Sequence, residues 1–77
     1  MEINQDYIHE VQAIIGSWIR EMRKERGLTL EDCGKLVGCN AGTMSKIENG
    51  VWLSIPMLIR LSVALDFSFL LYRNEDC

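Results

Sequence analysis

The sequence has few of the residues that form metal or disulfide sites. Its 77 residues include one histidine and three cysteines, and no two cysteines form a CxxC pair. An odd number of cysteines cannot all pair within one chain, and a structural zinc site takes four ligands. We therefore predict no disulfide, no metal and no cofactor. Cys33 and Cys39 are interpreted as small buried apolar groups.

Long apolar segments are also missing. The uncharged stretch over residues 51–59, for example, includes Ser54 and Pro56 and covers about half of the 20 residues that a membrane span needs. No basic segment followed by an apolar stretch marks a signal peptide. With 48% hydrophobic and 25% charged residues, the composition is typical of a globular protein, and we expect a cytoplasmic one.

A strong excess of positive charge is absent too. The formal net charge of −3 does not by itself favour a nucleic-acid partner. The negative charge is concentrated at the two ends, because residues 1–10 carry −3, residues 66–77 carry −2, and residues 11–65 carry +2. Phosphate attraction depends on the charge of the contacting face rather than on the total. The middle of the chain can therefore still form a nucleic-acid surface.

Apolar spacing predicts one long helix in the first third of the chain, over about residues 6–26. Basic residues fill its last turns and Gly27 follows, a combination that is typical of a helix C-terminus. The apolar stripe of this helix consists of Tyr7, Ile8, Val11, Ile15, Trp18, Ile19 and Met22.

Two short helices are predicted next. Thr29 is placed to cap a helix over residues 30–37, with Asp32 completing a capping box, and this helix ends at Gly38. Asn40 is placed to cap a helix over residues 41–49 that Gly50 ends.

The last third of the chain predicts two more helices. Ser54 and Pro56 mark the start of the fourth, since proline is tolerated in a first turn. A break at Asp66 separates it from a short fifth. The expected buried residues are Leu58, Leu61, Ala64 and Leu65 in the fourth helix and Phe67, Leu70 and Leu71 in the fifth. The sequence thus predicts an all-α fold, a compact five-helix bundle.

Three consecutive segments carry a family resemblance: IREMRKERG at 19–27, LEDCGKLVGCNAGTMSKI at 30–47 and IENG at 47–50. Together they resemble the helix-turn-helix of phage repressor and Cro-like proteins, the XRE family, over about residues 15–71. The resemblance implies a lambda-repressor-like, DNA-binding fold. Residues 1–14 are then an N-terminal extension of the first helix, residues 15–72 the helix-turn-helix domain and residues 73–77 a tail.

Two glycines in this region have a predicted structural role. Gly38 lies in the tight turn between the two short helices, where a positive φ is needed. Gly34 lies four residues earlier, where the two helices cross, and we expect only a side chain of alanine size or smaller to fit. The predicted core-facing apolar set of the two helices is Cys33, Val37, Cys39, Met44 and Ile47.

The resemblance also implies an ion pair and a DNA-reading surface. Arg23, near the end of the first helix, is expected to pair with Glu48 near the end of the third. The third helix is the recognition helix, and Thr29 and Asn49 are the implied phosphate contacts. The implied base-facing positions are Asn40, Ala41, Gly42, Ser45 and Lys46.

The sequence departs from the family pattern in ways that keep a second function open. Leu30 occupies a position where glutamine often contacts phosphate, and residues 51–53 form an apolar loop where basic residues are common. The main hypothesis is a transcriptional regulator, a repressor that binds an operator as a homodimer. The alternative is a protein-interaction module, such as the antitoxin of a toxin–antitoxin pair. No catalytic constellation is recognisable, so we do not expect an enzyme.

Dimer contacts are expected from apolar surface outside the reading helix. The candidates are the N-terminal extension, the last helix and the loop that contains Trp52. For the N-terminal extension, packing onto the last helix of the same chain is an equally good interpretation. No small-molecule effector and no membrane contact are expected.

Overall fold

The computed structural model describes residues 4–51 and 53–68 of the chain. This part contains four helices and no strand: α1 (Gln5–Glu25), α2 (Leu30–Val37), α3 (Ala41–Glu48) and α4 (Ile55–Ala64). The predicted all-α class and the bounds of the first four helices agree with it to within one or two residues. None of these helices is both long enough and apolar enough to span a membrane, in the residues described.

The expected five-helix bundle is wrong, because the described residues contain four helices. After α4, Asp66 takes a left-handed φ of 57°, and the Phe67 N–H donates to the carbonyl oxygen of Ser62 at 2.9 Å. This turn folds Phe67 back against the core, and neither Phe67 nor Ser68 is helical. Leu70 and Leu71, the other expected residues of a fifth helix, lie outside the described residues.

Each of the four helices begins at a side-chain cap. An oxygen of the capping residue accepts a hydrogen bond from the backbone N–H three residues later, which satisfies one of the unpaired donors of a helix N-terminus. The predicted capping box of Thr29 and Asp32 is confirmed, with both reciprocal bonds present at 3.0 and 3.1 Å. The predicted cap at Asn40 is also confirmed. The four capping residues are Asn4, Thr29, Asn40 and Ser54.

All four helices contribute to one apolar core. Its eight buried side chains are at most 4% exposed: Ile19, Cys33, Val37, Met44, Ile47, Met57, Leu61 and Leu65. The predicted buried face of α4 needs correction, because Met57 is buried whereas Leu58 and Ala64 are half-buried. Cys39 is half-buried rather than buried. The core fixes the position of α3 because Met44 and Ile47 point into it.

The first two turns of α1 project beyond this core. Every residue from 4 to 11 is exposed, and so are Ile14 and Trp18 further along α1. In the loop after α3, Val51 is exposed and Leu53 is half-buried, whereas Trp52 lies outside the described residues. Residues 4–11 of the N-terminal extension are therefore uncovered by the rest of the described residues, whereas Gln12 and Ala13 are half-buried.

Candidate nucleic-acid interface

Helices α2 and α3 are joined by a tight turn at two glycines. Gly38 has a φ of +86°, the left-handed conformation that side chains disfavour. A Cβ on Gly34 would lie 2.5 Å from the carbonyl oxygen of Cys39, which precedes α3. Alanine therefore does not fit at residue 34 without a backbone shift, and the neighbour of Gly34 is the turn rather than α3 itself. This close approach fixes α3 relative to α2.

A buried ion pair connects α1 to the end of α3. The Nε of Arg23 donates to Oε2 of Glu48 at 2.6 Å, and Nη2 donates to Oε1 at 3.1 Å. The third donor, Nη1, binds the carbonyl oxygen of Leu28 at 2.7 Å. The hydrogen bond to Glu48 is the main cause that raises the pKa of Arg23, while desolvation opposes it. A charged guanidinium thus joins α1, α3 and the loop that leads to α2.

The same two helices meet at their backbones, which sequence reasoning missed. A Cβ on Gly16 of α1 would lie 2.5 Å from the carbonyl oxygen of Glu48. A Cβ on Gly50, just after α3, would lie 2.7 Å from the Cα of Ala13. A glycine in the middle of an otherwise regular helix indicates such close packing, and Gly16 is a glycine of this kind. Together with Arg23 and Glu48, these glycines set the angle of α3.

The predicted base-facing residues occupy the N-terminal half and one side of α3. Asn40, Gly42 and Lys46 are exposed, whereas Ala41 and Ser45 are half-buried. The Oδ1 of Asn40 accepts the N–H of Thr43 at 2.8 Å, so its amide NH₂ group is the part that can reach outward. The exposed ammonium of Lys46 is the positively charged group on this helix. This face can offer hydrogen-bond donors to an electronegative surface.

A polar pocket lies beside the C-terminal half of α3. Its volume is about 260 Å³. Asn49 and Ser45 meet here, with Nδ2 of Asn49 3.4 Å from the hydroxyl oxygen of Ser45. Arg20 of α1 lines the same pocket and is exposed, so a second cation adjoins the polar residues of α3. The residues that line the pocket are Arg20, Arg23, Leu30, Ser45, Glu48 and Asn49.

The N-terminus of α2 is less suited to anions than the sequence argument assumed. Thr29 is exposed there, but its N–H and hydroxyl are both engaged in the capping box with Asp32. Hydrogen bonds from the Thr29 backbone and side chain lower the pKa of Asp32, so this carboxylate stays charged. Glu31 adds a second negative charge in the same turn. These two charges oppose an approaching phosphate.

The thiols of Cys33, which is buried, and Cys39, which is half-buried, offer no reactive centre. Burial raises the pKa of Cys33 and also that of Cys39, which favours the neutral thiol over the nucleophilic thiolate. In residues 4–51 and 53–68 no three His, Cys, Asp or Glu side chains form a group that could hold a metal ion. The arrangement of α2 and α3 is therefore the feature that calls for a functional interpretation.

Comparison with protein families matches this arrangement. The family model of the helix-turn-helix domain matches residues 14–69. The chain belongs to this helix-turn-helix family. The match includes α2, α3, α4 and most of α1.

Two curated relatives extend the comparison. A protein of Methanospirillum hungatei is 34% identical over 53 residues, and one of Methanoregula boonei is 35% identical over 48 residues. These alignments cover 69% and 62% of this chain, and both relatives bear the name "Putative HTH-type transcriptional regulatory protein". The helix-turn-helix chain spans only 17% and 15% of their lengths.

Proposed function

We propose that this helix-turn-helix domain binds double-stranded DNA in the cytoplasm as a transcriptional regulator, a repressor that covers an operator as a homodimer. The observation that carries the proposal is the rigid placement of α3. Its inner side is buried in the core, its end is held by Arg23, and Asn40 and Gly42 at its N-terminal end remain exposed. A helix fixed in this way can enter the major groove without further ordering. This is a binding role and involves no catalysis.

Base contacts are assigned to the exposed side of α3. Lys46 can bind O6 and N7 of guanine, and the amide of Asn40 or the hydroxyl of Ser45 can bind an adjacent base or phosphate. Ala41 can contact a thymine methyl group, and Gly42 allows the backbone to approach the bases closely. Because two of these positions carry almost no side chain, the shape of the DNA contributes to specificity.

Phosphate contacts are assigned to the rim of the polar pocket. Asn49 lines this pocket, and Thr29 at the start of α2 is a candidate outside its lining. The position of Arg20 in the same pocket as Ser45 and Asn49 adds a cation that the sequence argument did not single out. A guanidinium can bind a phosphate through two parallel hydrogen bonds. Arg20 thus adds a positive charge to a proposed interface that also carries Glu31 and Asp32.

A binding assay tests the proposal. Duplexes are selected from a random pool with the full chain, and their affinity is measured by fluorescence anisotropy at low and moderate salt. For about four phosphate contacts, affinity is expected to fall on the order of a hundredfold between roughly 50 and 200 mM salt. Lys46→Ala is expected to cost roughly 1–3 kcal/mol on the selected duplex and much less on random DNA.

Lys35→Ala is the matched control, because it removes an exposed lysine from the last turn of α2. This end of α2 is not expected to approach the phosphates, so affinity for both duplexes should stay within about twofold. Equal losses for Lys35→Ala and Lys46→Ala would mean that α3 does not read bases. The absence of any salt-dependent binding would refute the DNA-binding function itself.

One observation favours a second function, the protein-interaction module such as an antitoxin. Tyr7, Ile14 and Trp18 expose large apolar side chains on α1. Surfaces of this kind are typical of sites that bind another protein. Under this hypothesis Lys46→Ala has no effect on complex formation, whereas Trp18→Ala weakens the complex with the protein partner. Trp52, which the sequence argument assigned to the same role, lies outside the described residues.

A further inference from the structure

Gly42 differs from the other five glycines of the chain, because nothing in residues 4–51 and 53–68 requires a glycine there. Gly42 is helical and has no positive φ. A Cβ built on it would lie 3.4 Å from Oδ1 of Asn40, which is an ordinary van der Waals distance, so alanine fits at this residue. The other glycines have a positive φ, or neighbouring backbone that a Cβ would approach to 2.7 Å or less, or both: Gly16, Gly27, Gly34, Gly38 and Gly50.

A glycine at this position lowers the stability of α3. Glycine is the poorest helix former after proline, because its backbone has the most freedom to lose on folding. Helix α3 has only eight residues, so it has few turns over which this loss can be offset. A glycine inside a helix usually has a packing or a functional reason. Since the packing of the described residues supplies no such reason for Gly42, we look for it in a contact with another molecule.

Gly42 lies next to the two side chains that the proposed function assigns to bases. Gly42 and Lys46 are four residues apart on α3, so they lie on the same face of the helix, and both are exposed. Asn40, just before the helix, is also exposed. Its Oδ1 accepts the N–H of Thr43 at 2.8 Å, which holds the Asn40 amide beside the bare backbone of Gly42. A molecule that approaches this face therefore meets backbone between an amide and an ammonium group.

We propose that Gly42 is a specificity-determining residue, at which the backbone of α3 lies in van der Waals contact with a base edge in the major groove of DNA. The inference rests on the proposed function and deepens it. A Cβ lies about 1.5 Å from its Cα, so any side chain here would hold the base edge away from the helix. The apolar group that base edges present in this groove is the C5-methyl of thymine. A bare Cα suits that methyl, because neither group needs a hydrogen bond.

Helix α3 cannot tilt to relieve the clash that a side chain would cause. Its end is held by the ion pair of Arg23 and Glu48, and its inner side is buried in the core. The whole domain would have to move away from the DNA instead. A movement of about 1 Å lengthens a hydrogen bond of about 2.9 Å to about 3.9 Å, where it is lost. One methyl group at residue 42 should therefore also weaken the base contacts of Asn40 and Lys46.

Gly42→Ala in the full chain tests the inference, because it should change stability and specific binding in opposite directions. The melting temperature should rise by roughly 1–4 °C, since alanine is the better helix former. Affinity for the duplex selected with the parent should fall on the order of tenfold, while affinity for random duplexes should stay within about twofold. Gly42→Ser adds a hydroxyl to the same Cβ and should bind the selected duplex no better than Gly42→Ala.

Ser17→Ala is the control for the gain in helix stability. Ser17 is exposed on α1 and does not line the polar pocket of the proposed interface. The substitution gives a better helix former without adding a group to α3. Its affinity for the selected duplex and for random duplexes should therefore stay within about twofold of the parent.

A second selection identifies the base that Gly42 contacts. Duplexes selected from a random pool with Gly42→Ala should differ from those of the parent at one base pair for each bound domain, where the parent prefers thymine, and agree elsewhere. Deoxyuridine at that position of the parent's duplex removes the C5-methyl group. It should restore most of the affinity that Gly42→Ala loses, because a methyl removed from the DNA makes room for the methyl added to the protein.

The outcomes separate this inference from the proposed function. If Gly42→Ala bound the selected duplex as tightly as the parent, the close contact would be refuted and the DNA-binding function would stand. Equal losses on selected and random duplexes would place a phosphate against Gly42 and overturn the role in specificity. A lower melting temperature would mean that the domain itself requires the glycine, which also overturns the inference. A parent chain without salt-dependent DNA binding would instead refute the proposed function, and this inference with it.

Discussion

Arg23 and Glu48 form a two-pronged ion pair, with N–O distances of 2.6 and 3.1 Å, between the last turn of α1 and the last residue of α3. Their side chains are 10% and 6% exposed, so water screens the pair little. Arg23 also donates to the carbonyl oxygen of Leu28, so each of the three side-chain nitrogens of Arg23 has an acceptor. Helix α3 is therefore held at its C-terminal end, while Asn40 and Gly42 at its N-terminal end are exposed.

The first prediction concerns this pair. Glu48→Ala should destabilise the domain by about 3 kcal/mol in urea denaturation, because it leaves a buried guanidinium without its partner. The double variant Arg23→Met, Glu48→Leu should lose much less than the sum of the single losses, since apolar residues of similar volume can replace a buried pair.

An exposed pair of the same residue types provides the control. Arg26 and Glu25 lie 3.9 Å apart with side chains 34% and 71% exposed. Glu25→Ala should change stability by no more than about 0.5 kcal/mol. If Glu48→Ala changed stability as little as Glu25→Ala, the pair of Arg23 and Glu48 would not fix α3. DNA affinity should fall in the double variant even where stability is recovered, because the angle of α3 is no longer set.

The second prediction concerns Gly16, where helix propensity favours a substitution by alanine and packing disfavours it. Gly16→Ala should gain up to about 1 kcal/mol from helix propensity. The new Cβ would lie 2.5 Å from the Glu48 carbonyl oxygen, and such overpacking typically costs about 1–3 kcal/mol. We therefore expect a net loss of stability in thermal melts. Gly34→Ala should also lose stability, because its Cβ would meet the Cys39 carbonyl oxygen at the same distance.

Ser17→Ala is the control for Gly16→Ala, because Ser17 is the next residue of α1 and is exposed. It should be neutral or slightly stabilising, as alanine is the better helix former. A Gly16→Ala variant that melts at or above the parent temperature would show that α1 and the end of α3 are not in backbone contact.

The third prediction concerns the acidic start of α2. Glu31→Gln should raise the affinity for DNA by about two- to fivefold at low salt, because the proposed binding mode brings this end of α2 close to the phosphates and the substitution removes a negative charge there. The gain should disappear at high salt. The substitution leaves the capping box intact, because Thr29 and Asp32 form it without Glu31.

Glu21→Gln is the matched control for this charge. Glu21 lies on α1 beside the apolar groove, so its neutralisation should leave the affinity for DNA nearly unchanged. An equal gain in both variants would indicate a general effect of net charge. No gain in Glu31→Gln would mean that the N-terminus of α2 lies away from the phosphates.

Short-range signals in the sequence determined the local structure of this protein. Thr29, Asn40 and Ser54 begin helices because their side-chain oxygens bind the nearby backbone N–H groups that a helix start leaves unpaired. Gly38 ends α2 because the chain needs a positive φ there. These interactions join residues that lie three or four positions apart, so both partners can be recognised in one short stretch of sequence.

Relationships between distant residues were decided by the tertiary structure. The pairing of Arg23 with Glu48 could be proposed from a family resemblance, but the contact spans 25 residues and its geometry depends on how α1 and α3 pack. The role of Gly16 was missed because its neighbours are carbonyl oxygens at residues 47 and 48. Within the described residues no fifth helix follows α4, because the left-handed Asp66 turns Phe67 back onto the core and Phe67 and Ser68 are not helical.

Helix α4 shows most directly what the sequence determines and what only the tertiary structure decides. The sequence determined that it is a helix and that apolar residues lie on opposite sides of it. Which of those residues face the core depends on the neighbouring helices. The structure buries Met57, Leu61 and Leu65 and leaves Ile55 and Ile59 outside. The hydrophobic effect drives burial of apolar area but has no direction of its own, so only the packed fold selects the face of α4 that is buried.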